Sequence, residues 1–173
     1  MTRPTRWLRL AMGACLAVTL PALAQYADLA RADWKEDAAP PPPEYSTRGL
    51  IEIEMPRSAS VKMGVDPKTI TINHATGIVR YVVVARGPSA VNATYEGIRC
   101  ATGEYKVYAR QTEGNPWSPS GESDWKPMRG QTSVVVPHPY RLAREGMCIG
   151  TGVRETVEDM VRELRSGNQS LYY

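Results

Sequence analysis

The chain has 173 residues, 42% of them hydrophobic and 23% charged, and it contains no Phe. Its 21 Lys+Arg exceed its 18 Asp+Glu, but Arg3, Arg6 and Arg9 cluster at the amino terminus and the remainder balances at 18 against 18. A balanced chain with no Lys/Arg stripe excludes the electrostatic footprint of a nucleic-acid or anionic-membrane binder. No apolar run is long enough to span a bilayer, so no transmembrane segment is expected.

Residues 1–24 have the layout of a secretory signal peptide. Arg3, Arg6 and Arg9 give a positive start, Leu10 to Leu20 an apolar core, and Ala22-Leu23-Ala24 a small-residue cleavage site that leaves Gln25 at the mature end. A rival reading makes Cys15, in Met12-Gly13-Ala14-Cys15, the acylated cysteine of a lipoprotein. That would cut the apolar core in half and leave Leu16 to Leu20 exposed, so the cleaved, soluble form is preferred. Cys15 then departs with the signal. Cys100 and Cys148 remain as an even pair in an oxidising compartment, where a disulfide is the expectation.

Roughly 150 mature residues suit one domain with a modest core. Residues 25–46 read as a linker, charged at Asp33 to Asp37 and stiffened by Pro40 to Pro43 into a polyproline tether. A single globular domain is expected over 47–167, with 168–173 as a tail. Ile51, Ile53 and Met55 alternate with Glu52 and Glu54 as a half-buried strand requires, and Val61–Val65 is a weaker strand. Thr69–Asn73 and Ile78–Ala85 flank a turn-rich joint and form a hairpin, with Tyr81 to Val84 apolar on both faces as in a central strand. Asn92–Cys100 and Glu104–Arg110 make a second hairpin around Ala101-Thr102-Gly103. Residues 111–123 are loop, with short strands at Trp125–Met128 and Thr132–Val136 and a helical turn or two over Pro139–Glu145. Gly146 to Gly152 reads as a flexible glycine-rich joint. Val157, Met160, Val161 and Leu164 share one face of a closing helix, capped by Thr156 with Asp159 and ended by Gly167. The fold class is therefore α+β, a mainly antiparallel sheet covered on one face by a C-terminal amphipathic helix.

Chemistry-bearing residues are few. His74 and His138 have no second ligand at metal spacing and read as exposed loop histidines, so no metal and no cofactor is expected. The densest polar cluster is Glu96, Arg99, Glu104, Tyr105 and Lys106 on neighbouring strands of the second hairpin, with Tyr108 close by. Such a group either stabilises a sheet by cross-strand pairs or forms a recognition patch.

Four separated blocks, Asp33-Trp34-Lys35-Glu36 before the prolines, Gly77 to Arg86, Tyr95 to Cys100 and Thr102 to Lys106, resemble the family of exported bacterial proteins related to "cryptic neisserial protein one" over residues 33–149. The resemblance implies a Gram-negative envelope protein and carries no catalytic residues with it. The expected function is a non-enzymatic periplasmic domain that binds an envelope protein or cell-wall component through its sheet face or edge. The alternative is a small-molecule binder or wall hydrolase with Glu96 or Glu104 as base, which requires a pocket beside those carboxylates. A redox role would require Cys100 and Cys148 to exchange readily.

Overall fold

A computed structural model describes residues 33–122, 124–129 and 137–170. The expected signal peptide, Cys15, the expected Ala24–Gln25 cleavage site and the strand expected at 132–136 lie outside these residues.

Among them the chain forms β1 (Ile51–Ile53), β2 (Lys62–Val65), β3 (Thr71–Asn73), β4 (Ile78–Arg86), β5 (Val91–Arg99), β6 (Glu104–Thr112), β7 (Ser118–Pro119) and β8 (Lys126–Pro127). A short helix α1 (His138–Leu142) runs into a wider π turn over Ala143–Met147. The ribbon β9 (Cys148–Ile149) and β10 (Gly152–Val153) follows, and α2 (Val157–Ser170) closes the fold. The main sheet is antiparallel in the order β1-β2-β4-β5-β6-β7, with β3 on β4 and β8 on β6. The protein is α+β, mainly antiparallel sheet with a C-terminal helix.

Strand β4 explains the architecture. Its residues Ile78 to Val84 are all buried, because both faces of the sheet are covered. Val79, Tyr81 and Val83 face one core, shared with Ile98 of the next strand, with Cys100 just beyond it, and with Leu142, Met147, Met160 and Leu164 from the helical layer. Val82 and Val84 face a second core with Ala93, Tyr95 and Ala109, against which Tyr45, Leu50 and Trp117 pack. Helix α2 presents the face its spacing predicts: Met160 and Leu164 are buried, with Val157 and Val161 packed beside them. Thr156 Oγ accepts from the Asp159 amide at 3.1 Å as a cap. The helix runs on through Gly167 instead of stopping before it. That glycine lies against Glu145, where a Cβ would come within 3.2 Å of its side chain.

Further readings change, among them the 111–123 loop, which carries the end of β6 and all of β7. Residues 33–46, expected as a tether, lie along the sheet's second face. Trp34 Nε1 donates to the Thr76 carbonyl at 3.1 Å, and the Ser46 amide donates to Asp66 at 2.7 Å. We call them the strap. The Gly146–Gly152 joint is no free hinge. Gly146 is buried against α2, and Cys148–Ile149 pairs with Gly152–Val153. Glycine is needed at 146 because a Cβ there would meet Leu164 Cγ at 2.6 Å and the Leu164 amide at 2.8 Å. Finally, β1 ends at Ile53, so Met55 is outside the strand.

Candidate functional site

The expected patch does not form one surface. Side chains alternate faces along a strand, so Glu96 and Arg99, three apart on β5, point opposite ways. The hairpin pairs Arg99 with Glu104, Ile98 with Tyr105 and Gly97 with Lys106. Glu96 and Tyr105 therefore face the helical layer, whereas Arg99, Glu104 and Lys106 face the strap.

On the strap side, Glu36 is the hub. Its carboxylate accepts from Tyr108 Oη at 2.5 Å, Arg80 Nη2 at 2.9 Å, and Lys106 Nζ and Trp125 Nε1 at 3.2 Å each. Arg80 and Glu36 keep only 6% and 11% of their side-chain surface exposed. Burial pushes the Glu36 carboxyl up, but the hydrogen bonds from Tyr108, Arg80 and Lys106 outweigh it and hold it below the usual carboxylate range. Burial, with the bond to Glu36, drives the Tyr108 phenol well up, so it stays a neutral donor. Beside the hub, the Arg99 guanidinium lies 3.7 Å from the Trp34 ring centroid, and Trp34 meets Trp125 edge to face. Arg99 also reaches Glu104 at 3.5 Å, which accepts from Thr102 Oγ at 2.5 Å. A β-bulge next to Tyr95/Glu96 lets Tyr108 lean over Gly97, where a Cβ would come within 2.6 Å of its hydroxyl.

On the helical side, Glu96 is 2% exposed. Tyr81 Oη donates to its Oε2 at 3.2 Å, and His138 Nε2 lies 2.8 Å from the same oxygen and 3.0 Å from Oε1. His138 is therefore not an exposed loop histidine. Pro137 holds an extended backbone, Pro139 sits in the first turn, and between them His138 opens α1 with its ring turned onto the sheet. Burial pulls the imidazole down, the neighbouring Glu96 outweighs this, and its proton is held above the usual histidine range.

Cys100 and Cys148 form the expected disulfide, with Cα atoms 5.8 Å apart. It borders a cleft of about 490 Å³, where Met128, Tyr140, Arg129, Arg144 and Thr102 are the other main lining residues. A second cleft of about 420 Å³ lies at the β1–β2 connection, between Glu52, Glu54, Arg57 and Lys62. Neither Glu96 nor Glu104 lines either cleft. No group of three or more His, Cys, Asp or Glu among the described residues is placed to hold a metal. No described helix is long and apolar enough to cross a membrane.

The family pattern described as CNP1-like matches residues 19–165. The chain belongs to the CNP1-like family. No curated protein and no solved structure matches it. In this CNP1-like chain, two groupings of polar residues have no counterpart in the sequence reading. The Glu36 hub joins residues 44 to 89 positions apart, for which no local pattern exists. Arg129, Tyr140 and Arg144 were passed over because the cleft that unites them is made by the disulfide and the turn into α1. The Cys pairing was the one signal pointing there.

Proposed function

We propose that the protein is a non-enzymatic binding domain of the Gram-negative envelope, exported to the periplasm by a cleaved amino-terminal signal, and that it takes an envelope component into the cleft beside the disulfide. The observation that carries this reading is the cleft's own chemistry. It joins an apolar wall, a covalently fixed border and two exposed guanidiniums at an open mouth. The other polar groups are closed upon one another: Glu36 with Arg80 and Lys106, Glu96 with Tyr81 and His138. Recognition thus moves from the sheet face, which the strap covers, to the end of the β5–β6 hairpin. The volume falls in the range of small-ligand sites, roughly 300–1,000 Å³.

A thermal-shift screen of mature residues 25–173 against wall fragments, sugars, nucleotides and lipids tests it. A ligand at a hundredfold its Kd adds about 2.7 kcal/mol. Thr102 is exposed on the cleft rim, and Thr102→Trp should fill the mouth and abolish the shift. A flat screen, or a shift that survives Thr102→Trp, removes the cleft as the site.

The hydrolase alternative lacks a described cleft beside Glu96 or Glu104, and what still speaks for it is the contact between Glu96 and His138. In that arrangement Glu96 orients the imidazole, and His138 would be the base. His138→Gln would then abolish turnover of a wall substrate while leaving the ligand-induced shift intact.

A further inference from the structure

At two other places in the described structure, neighbouring cations share a carboxylate. Glu36 lies between Arg80 and Lys106, and Glu122 lies between Arg110 and Lys126. The disulfide cleft breaks that pattern. Arg129 donates to the Tyr140 hydroxyl with its guanidinium 4.7 Å from the ring centroid, and Arg144 lies 5.7 Å from the same centroid. Neither arginine lies within 4.0 Å of a carboxylate among the described residues, although Arg144 feels the charge of Glu145 beside it, and the residues lining the cleft include no Asp or Glu. Two guanidiniums held on one neutral ring repel each other, and an anion between them relieves that repulsion. Their planar forks match the paired oxygens of a phosphate or carboxylate. Behind them the buried Met128 and the Cys100–Cys148 bond offer an apolar wall.

We infer that the cleft binds a small ligand whose oxyanion, a phosphate or a carboxylate, sits between Arg129 and Arg144, with its apolar part against Met128 and the disulfide. This rests on the reading of the cleft as the recognition site and adds the chemical class of what enters. Tyr140 is the positioning residue, holding both cations at the mouth. Hydrogen bonding from Arg129 also holds its hydroxyl below the usual phenol range, so its ionisation reports the charge around it.

Titration calorimetry on the disulfide-bonded mature protein, at constant ionic strength, provides the test. The probes are phenyl phosphate, benzoate, inorganic phosphate and the neutral analogue benzamide. Phenyl phosphate or benzoate should bind, benzamide at least tenfold more weakly, and the stronger of the two anions identifies which oxyanion the site prefers. Arg129→Ala and Arg144→Ala should each weaken that anion tenfold or more, with Arg144→Lys recovering part of the loss. Anion binding should also move the Tyr140 ionisation to higher pH, followed by NMR of the tyrosine Cζ with Tyr140→Phe for assignment. Equal binding of benzamide and benzoate, or arginine variants that bind as well as the parent, would overturn the oxyanion while leaving the cleft standing. Anion binding unchanged by Thr102→Trp would overturn the cleft itself. No binding of any anion at 10 mM, roughly the weakest affinity such a site could use, would also overturn the oxyanion.

Discussion

Glu36 and His138 are the two titrating residues on which the fold leans, and they lean in opposite directions. Removing Glu36 leaves Arg80 buried without its charge partner, so Glu36→Ala should cost about 3 kcal/mol, or a Tm lower by roughly 10 °C. Glu36→Gln keeps an acceptor for Tyr108 and should cost less; equal losses would show that charge is not what matters. The pH dependence follows from the same pair. The Glu36 proton affinity is lowered on folding, so its stabilisation is present above about pH 4.5 and is lost as pH falls through the lower folded value. That of His138 is raised, so its stabilisation is full below about pH 6.5 and is lost as pH rises through the folded value. Tm should therefore peak between these limits. His138→Gln should flatten the alkaline limb and Glu36→Gln the acid one, and a limb unchanged by its own variant would remove that residue from the account.

At the scale of elements, the closest fit is between the π turn and α2. Gly146→Ala drives a methyl into Leu164 Cγ, the Leu164 amide and, at 2.9 Å, the Met160 carbonyl, of which the backbone atoms cannot step aside. A loss of about 2 kcal/mol is expected in urea unfolding, against a gain of about 1 kcal/mol for a Gly→Ala change in open helix. Much of this layer was legible in the sequence. The period of α2 named its buried face, and the unbroken apolar run of β4 announced a strand covered on both sides. What covered the second side was not legible, because the strap has no periodicity and its partners are far along the chain. The split of Glu96 from Arg99 was legible, since an odd spacing along a strand puts two residues on opposite faces. The identity of the partner for Glu96 was not, because His138 sits between two prolines that equally well describe a loop.

For the whole molecule, the sheet is held between unlike layers, helices on one face and a strap without regular structure on the other. The Cys100–Cys148 bond fastens the end of β5 to the helical layer and closes a loop of 48 residues. Cys100→Ser with Cys148→Ser should remove about 4 kcal/mol, read as a lower denaturation midpoint. Reduction of the parent should reproduce that loss, and an unchanged midpoint would mean that packing alone holds the layers. The strap has a different consequence, one of timing. A chain is made amino terminus first, so Trp34 and Glu36 exist well before their partners. Arg80 follows Glu36 by 44 residues, Lys106 by 70, Tyr108 by 72 and Trp125 by 89. Until Trp125 has been added the socket is incomplete, and a nascent chain carries a buried-type carboxylate and an indole with nowhere to go. Among the described residues, one of the first to be made must wait for a partner 89 positions on.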